Sequence, residues 1–188
     1  MPFGLLLDAG TLRNFAACDA LALLRDLCNP HPEPYWVEAV RAEIKRIAIE
    51  KDGPARTQCR YILSPTHGSW LGAPIEPPLS GQIEVFSIRL ALASVRDHPL
   101  EHLGEAESIW VAYQSGATFA TDDGPAFAYA GQRLGSSCVT DTVGLLRNGV
   151  TAGCLTAEEA VEIVVQMRSE GRILRRVHPT PLTRAAFE

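Results

Sequence analysis

The second half of the chain alternates short apolar runs with amphipathic helical patterns, and this alternation restricts the possible folds more than any other feature. Residues 104–115 and 124–134 have helical periodicity, and each is followed by a glycine. The runs "ATFAT" (117–121) and "SSCVT" (136–140) are typical of buried strands. Strands that alternate with helices form parallel sheets, because the helical crossovers cover both faces. The sequence therefore predicts an α/β fold with a parallel sheet between helices.

The remaining local patterns add further elements to this outline. In the first third of the chain they predict a strand at residues 3–7, a helix capped by Thr11 and continuing to Leu27, and a break at 29–34. A helix from Tyr35 to before Gly53 and a helix at 54–63 follow, and then a short edge strand around Trp70 and a helix at 82–96. Near the C-terminus the patterns predict a short helix at 142–148 and a long final helix that starts with the capping box Thr156 to Glu159. We find no internal repeat and no low-complexity tract.

Length and composition indicate one globular domain. The chain has 188 residues, of which 46% are hydrophobic and 21% charged, and we expect a single domain over 1–188 with a C-terminal helix and basic tail at about 156–188. The five cysteines form no C-x-x-C pair. An odd count without pairing is typical of small core residues in a reducing compartment rather than of a disulfide framework.

The charge pattern and the hydropathy restrict the expected partners. No apolar run approaches the roughly 20 residues that span a bilayer, and the start "MPFGLLLDAG" lacks the basic residues of a signal peptide. We therefore expect a cytoplasmic protein without a membrane partner. The net charge of −5 argues against nonspecific coating of nucleic acid. Basic residues cluster near the end, where they form either a solvated helix face or a phosphate contact: Arg168, Arg172, Arg175, Arg176 and Arg184.

Acidic residues stand where the predicted strands and helices meet. Asp8 follows the first strand, and Asp122 and Asp123 follow the strand at 117–121. Glu105 lies in the first turn of the preceding helix, and Glu43 lies within an earlier helix. Each position also has a local explanation, because aspartates cap helices and a first-turn glutamate favours the helix dipole. Glu43 alone would be an ordinary surface residue.

Taken together, these acids predict a metal site. Ligands bind beyond the carboxyl ends of parallel strands, and right-handed connections bring these four parts of the chain to one edge of the sheet. Carboxylates that lie so close repel one another and stay ionised around a cation. An oxygen-only donor set selects Mg²⁺ or Mn²⁺ over Zn²⁺. The histidines offer no competing set, since Pro99 separates His98 from His102.

These motifs, in this order, resemble those of the PIN domain family between about residues 3 and 170. The resemblance lies in "LLLDAGTL" (5–12), "VRAEI" (40–44), "HLGEAESIWVA" (102–112), "ATDDGPAFAYA" (120–130) and "TDTVGLLRNGVTAGCLT" (140–156). It implies a three-layer α/β/α sandwich with a central, mainly parallel sheet and a metal-dependent ribonuclease activity. The stretch between Glu43 and Glu105 is longer than in the smallest members of the family.

The resemblance also implies a role for each site residue. Four acids match the catalytic positions: Asp8, Glu43, Glu105 and Asp123. The expected ligands of Mg²⁺ or Mn²⁺ are Asp8, Glu105, Asp122 and Asp123, with Thr121 and Thr11 as supporting residues. Many bacterial members are VapC-type toxins, which implies an RNA substrate, a small antitoxin protein as partner and a homodimer. Leu21, Leu24 and Trp70 are candidates for a surface that faces such a partner, although burial in the core also explains them.

Other functions are compatible with parts of the sequence. "DAGT" resembles the phosphate loop of sugar kinases and actin-like ATPases, but those folds need two large domains, for which 188 residues are too few. A G-x-x-x-x-G-K-[ST] loop, which would indicate an ordinary NTPase, is absent. The remaining alternative is a PIN-like scaffold that binds RNA or protein without catalysis. Retention of all four acids argues against it.

Overall fold

A small parallel sheet lies at the centre of the protein, in a computed structural model that describes residues 4–33, 35–93, 101–175 and 183–187. In these ranges the sheet has three strands, β1 (Leu5–Leu7), β2 (Thr118–Ala120) and β3 (Val139–Thr140), in the order β1-β2-β3. Leu6 pairs with Phe119, and Phe119 pairs with Val139. All of β1 is buried, and in β2 and β3 only Thr118 and Thr140 are partly exposed, as expected of a sheet covered on both faces. The predicted α/β class with parallel strands is confirmed.

Helices supply most of the remaining structure. Those in the described ranges are α1 (Ala9–Ala17), α2 (Leu21–Cys28), α3 (Glu38–Glu50), α4 (Pro54–Leu63), α5 (Gln82–Leu92), α6 (Leu103–Ser115), α7 (Gly124–Leu134), α8 (Thr142–Thr151) and α9 (Ala157–Ser169). Short 3₁₀ turns occupy Ser69–Leu71, Leu79–Gly81, Ser136–Cys138 and Arg184–Ala186. The sheet is therefore small in comparison with the helices that surround it.

The predicted helix boundaries in the second half follow the local signals. Gly116 ends α6 in the left-handed conformation, with φ of 71°, which costs a glycine least. Pro125 lies in the first turn of α7, where its missing N–H removes no helical hydrogen bond. The Thr156 hydroxyl accepts from the Glu159 N–H, and the Glu159 carboxylate accepts from the Thr156 N–H. This capping box confirms the predicted start of α9.

The first predicted helix is wrong in two respects. Its cap is Asp8 rather than Thr11, because the Thr11 N–H donates to the Asp8 carboxylate and Thr11 is already inside the helix. The helix also does not continue to Leu27, since α1 ends at Ala17 and α2 begins at Leu21. Asp19 stands between them in the left-handed region with φ of 57°, and the Tyr61 hydroxyl donates to its carboxylate. Apolar spacing alone did not reveal this break.

The segment after α4 contains no strand at Trp70. Residues Ser69–Leu71 form a 3₁₀ turn, and the Trp70 indole N–H donates to the His67 carbonyl oxygen at 2.7 Å. The extended backbone lies further along, where Ile75 forms an isolated parallel bridge with Val37. Trp70 packs against the Tyr35 ring, with the ring centroids 5.6 Å apart.

Core burial, the alternative explanation for Leu21 and Leu24, is confirmed, so these two residues do not form a partner-facing surface. Both side chains are buried in the core, and Trp70 is packed against it. The large apolar side chains that are exposed together lie on and just before α5: Leu79, Ile83, Phe86 and Leu90. The predicted helix at 82–96 corresponds to α5, and its residues 94–96 lie outside the described ranges, as do His98, Pro99 and Arg176.

One cluster of buried apolar residues in the described ranges extends from Leu5 to Phe187. Phe15 and Phe119 are among its largest fully buried side chains, each contributing about 1.5–3 kcal/mol to folding by leaving water. Of the free cysteines, Cys18, Cys28 and Cys59 are buried, Cys138 is partly exposed and Cys154 is exposed. Among the residues described, no helix has the length and apolar character that crossing a membrane requires.

Candidate functional site

Asp8 leaves the end of β1 and serves two local functions at once. One carboxylate oxygen accepts from the Thr11 N–H at the start of α1, and the other accepts from the Thr121 hydroxyl. The side chain is only 4% exposed. Burial raises the pKa of Asp8 above its ordinary value, and the two hydrogen bonds oppose that rise. Each oxygen keeps a further lone pair, because an ionised carboxylate offers about four acceptor sites.

Thr121 connects the ends of two neighbouring strands. Its hydroxyl donates to Asp8 and accepts from the Asp123 N–H at 3.1 Å. Thr11 supports the same corner, because its hydroxyl donates to the Ala120 carbonyl oxygen at 3.3 Å. Thr121 and Thr11 are both fully buried. They therefore hold the strand ends in a fixed relation to Asp8.

Asp123 is the N-cap of α7. Its Oδ1 accepts from the Ala126 N–H at 2.7 Å, so the sequence-based cap interpretation is confirmed. The same residue also lines the cleft that Asp8 lines. Capping and a place in the cleft are therefore compatible at Asp123, as they are at Asp8.

Asp122 is held more firmly than its neighbour. Its Oδ2 accepts from Asn14 at 2.8 Å and from the Thr142 hydroxyl, and its Oδ1 accepts from the Arg175 backbone N–H at 3.3 Å. Burial raises the pKa of Asp122 to about 6. Three hydrogen bonds leave this carboxylate fewer free lone pairs than Asp8 has. Its geometry suits an anchor for the surrounding side chains better than a ligand.

Glu43 and Glu105 approach the strand ends from two packed helices. The pKa of Glu105 is raised to about 8, and burial is the largest cause of this rise. The negative charges of three other acids act in the same direction: Asp8, Glu43 and Asp123. Burial also raises the pKa of Glu43, while the positive charges of Arg46 and Arg13 oppose the rise. These acids are therefore close enough to affect one another electrostatically.

Close contact between helices α3 and α6 sets the positions of these two glutamates. Gly104 precedes Glu105, and a Cβ atom there would lie 3.0 Å from Cγ2 of Val40. Val40 is buried one turn before Glu43 on α3. The missing side chain of Gly104 lets the two helices approach until both carboxylates face the same cleft.

The five predicted acids line one cleft of about 280 Å³: Asp8, Glu43, Glu105, Asp122 and Asp123. Glu43 and Glu105 also line an adjoining cavity of about 260 Å³. In the part of the chain that the structure describes, no three histidine, cysteine, aspartate or glutamate side chains are already arranged as a metal-binding group. The acids thus share a cleft without forming a finished coordination set.

Sequence reasoning missed Asn14, which lines the cleft and is only 1% exposed. Its amide nitrogen donates to Asp122 and to Thr142 at 3.0 Å, and its amide oxygen accepts from Arg172 Nε at 2.7 Å. Asn14 lies three residues after Thr11 on α1, and this helical spacing from Thr11 was the available signal. Nothing in the local sequence indicated its contact with Arg172.

The basic residues near the C-terminus divide into two groups. Arg168 and Arg184 are exposed, in agreement with a solvated surface, and Arg184 pairs with Glu158 at 2.7 Å. Arg172 and Arg175 instead follow α9 and turn back towards the strand ends. Arg172 lines the cleft together with Arg13 of α1.

Arg175 fastens this returning segment. Its guanidinium lies 3.4 Å from the carboxylate of Asp141, which is fully buried and caps α8 through the Gly144 N–H. The guanidinium also stacks over the Phe127 ring, 3.5 Å from the ring centroid. With the backbone hydrogen bond to Asp122, these contacts hold residues 172–175 beside the acids.

No protein-family model, curated protein or solved structure matches this chain. The chain is an α/β protein with a parallel sheet. Acidic side chains from its strand ends and from the neighbouring helices line one cleft. The resemblance to PIN domains stays a prediction that rests on the sequence motifs.

Proposed function

We propose that this protein is a metal-dependent ribonuclease of the PIN domain type, which hydrolyses phosphodiester bonds at the acidic cleft. The observation that carries the proposal is the convergence of acids from four separate parts of the chain. Burial, and after it the negative charges of Asp8, Glu43 and Asp123, raise the pKa of Glu105 to about 8. Perturbed ionisable groups in a cleft are typical of functional sites.

The donor chemistry of the cleft fits Mg²⁺ or Mn²⁺. The candidate ligands Asp8, Glu105 and Asp123 offer carboxylate oxygens only, which hard cations prefer. Asp8 keeps acceptor capacity on both oxygens after its two hydrogen bonds. Small side-chain movements from the metal-free arrangement would be needed to complete a ligand set, since no such set is preformed among the described residues.

The chain's own residues would prepare the site for this chemistry. A bound cation lowers the pKa of a water molecule and neutralises charge on the phosphate during in-line attack. Thr121 and the α1 N-terminus orient Asp8 by two hydrogen bonds. Asn14 and Thr142 hold Asp122 in place behind it. Burial raises the pKa of Glu105 to about 8, so this carboxyl can change its protonation near neutral pH.

The direct test is cleavage of mixed RNA oligonucleotides by the purified protein. We expect cleavage with Mg²⁺ or Mn²⁺ and none with EDTA. Asp8→Asn and Glu105→Gln should lower the rate at least about a hundredfold, because several kcal/mol of transition-state stabilisation would be lost and each 1.36 kcal/mol is a factor of ten.

A matched control is Asp52→Asn, which also removes one negative charge. Asp52 has a side chain that is 95% exposed and pairs only with Arg56 among the ion pairs described. This variant should keep the wild-type rate. Cleavage that is equal in EDTA, with contaminating nucleases excluded, would overturn the proposal.

A second candidate is a PIN-like scaffold that binds RNA or protein without catalysis. The observation in its favour is that the described acids are not already arranged to hold a metal ion. Titration with Mn²⁺ in a calorimeter separates the two candidates. A nuclease should bind the ion at the acidic cleft, and a scaffold should show no specific binding.

The three-layer sandwich arrangement, the toxin role, the antitoxin partner and the homodimer belong to the same proposal. They follow from the resemblance of the motifs to PIN domains. A small antitoxin would be expected to cover the acidic cleft. Copurification with the product of a small neighbouring reading frame, and loss of RNA cleavage in that complex, would support the toxin role.

A further inference from the structure

We propose that Arg13 and Arg172 form a clamp for a phosphate group of the RNA strand at the basic side of the acidic cleft. The proposal rests on the ribonuclease function proposed above and adds how the substrate is held. Both arginines line the cleft, although one comes from α1 and the other from the segment after α9.

Arg172 is positioned by the protein before any ligand arrives. Its Nε donates to Asn14 Oδ1 at 2.7 Å, and its Nη2 is 3.4 Å from the Gly10 carbonyl oxygen. The orientation of Asn14 is settled by its other contacts, because its amide nitrogen donates to Asp122 and Thr142. Two of the five guanidinium N–H groups are thus engaged, and the others remain for a ligand.

Arg13 supplies a donor that nothing in the described structure satisfies. Its Nε atom is buried and has no hydrogen-bond partner among the described residues. A buried donor without a partner costs about 1–3 kcal/mol, so such atoms are few in native proteins. The fold thus keeps the Arg13 cation at the cleft wall despite this cost, and an anion bound at its guanidinium would offset that cost.

The two guanidinium groups repel each other. Burial lowers the pKa of Arg172, the positive charge of Arg13 lowers it further, and the negative charges of Asp122 and Asp8 oppose this lowering. Like charges that the fold holds together indicate a ligand of opposite sign. An anion bound by both guanidinium groups would relieve their repulsion.

A phosphodiester fits this place better than a carboxylate or a simple anion. The guanidinium fork matches two phosphate oxygens, and it binds them with charge-assisted hydrogen bonds. The five acids in the same cleft would repel a free anion. An RNA strand would avoid this repulsion. One of its phosphates would contact the arginines, and a cation held by the acids would neutralise the charge of a neighbouring phosphate.

The test measures binding separately from cleavage. A fluorescein-labelled single-stranded RNA oligonucleotide of mixed sequence is titrated with protein in Ca²⁺, and the dissociation constant is measured by anisotropy at several salt concentrations. Arg13→Gln and Arg172→Gln should each weaken binding about tenfold. Each should also reduce the slope of log K against log salt by roughly 0.7, the value for one phosphate contact to a single strand. Arg172→Lys should bind with intermediate affinity, because it keeps the charge and loses the fork.

Arg168→Gln is the matched control, since Arg168 is exposed near the end of α9 and outside the cleft. It should bind RNA with wild-type affinity and salt slope. Melting temperatures of all variants check the fold. Arg172→Gln should lower the melting temperature more than Arg13→Gln, because it also loses the contacts to Asn14 and Gly10.

The outcomes separate the clamp from the nuclease function. Wild-type affinity and slope in both glutamine variants would overturn the clamp, even if the protein cleaves RNA. Absence of RNA binding by the wild type would also overturn it. Arginine-dependent RNA binding without metal-dependent cleavage would keep the clamp and reject the nuclease function.

Discussion

The Thr121 hydroxyl makes two hydrogen bonds, and together they hold the ends of two neighbouring strands in place. The hydroxyl donates to Asp8 and accepts from the Asp123 N–H. Asp8 and Asp123 in turn cap α1 and α7. A carboxylate has acceptor sites to spare after one cap bond. Capping and metal binding are therefore not exclusive explanations for the same aspartate.

Glu105 leads to a prediction about pH in the metal-free protein. Its pKa is raised from the ordinary 4.5 to about 8, so the unfolded chain loses this proton at lower pH than the folded protein does. The contribution to stability is then complete below about pH 4.5 and is lost as the pH rises to about 8. Raised pKa values of Asp8, Glu43 and Asp122 act with the same sign.

The free energy of unfolding should therefore fall less steeply between pH 5 and pH 8 in Glu105→Gln than in the wild type. Part of the fall should remain, because the other acids with raised pKa values are still present. We expect the fall to shrink by about 2 kcal/mol, less than for a fully buried group because Glu105 faces an open cleft. Urea unfolding in the presence of a chelator at several pH values measures it. Glu158→Gln at the exposed surface is the control, and a Glu105→Gln profile that coincides with the wild type would contradict the prediction.

At the scale of elements, the contact between α3 and α6 decides whether the two glutamates meet. Sequence patterns predicted both helices, but they did not predict that Gly104 packs against Val40. Helix α4 also packs on α3, so α3 is held from two sides. The position of Glu43 relative to Glu105 thus depends on how closely two helices approach.

Gly104→Val should separate these helices and impair the site. Overpacking of this contact should lower the free energy of unfolding by about 1–3 kcal/mol, and the stabilisation of the fold by Mn²⁺ should fall as well. The control is Gly131→Ala on α7, where an added Cβ would meet nothing within 4 Å. That variant should gain about 0.5–1 kcal/mol. Thermal unfolding with and without Mn²⁺ measures both effects, and an unchanged metal response in Gly104→Val would contradict the prediction.

At the scale of the whole molecule, the cleft joins segments from both ends of the chain. Asn14 and Arg172 are 158 residues apart and share a hydrogen bond. Asp8 and Thr121 are 113 residues apart and share another. Folding has to bring together acids that repel, so a cation that binds only the folded protein should stabilise it.

We expect Mn²⁺ at a hundredfold excess over its dissociation constant to stabilise the wild type by about 2.7 kcal/mol. For a chain of this size that gain corresponds to roughly 5–10 °C in melting temperature. Asp8→Asn and Asp123→Asn should lose most of the gain. Their metal-free forms should be as stable as the wild type or more so, because asparagine caps helices nearly as well as aspartate. Equal metal responses in the three proteins would mean that the acids do not share a site.

Local signals were sufficient for much of the fold. Gly116, Pro125 and the Thr156 capping box correctly marked helix ends, because their preferences arise within a few residues. The same holds for the placement of Asp8 and Asp123 after strands. The break at Asp19 and the turn at Trp70 escaped prediction, since contacts from Tyr61 and Tyr35 accompany those conformations.

The sequence by itself determined the α/β class and the acids at the strand ends, because strand runs, helix periodicity and caps are short-range properties. Tertiary structure decided what each carboxylate can still do. Asp122 has its oxygens engaged by three donors, while Asp8 keeps acceptor sites. The tertiary structure also places Arg172 in the same cleft as Arg13. These particular hydrogen bonds and charge contacts depend on how distant segments pack, which short-range patterns in the sequence do not specify.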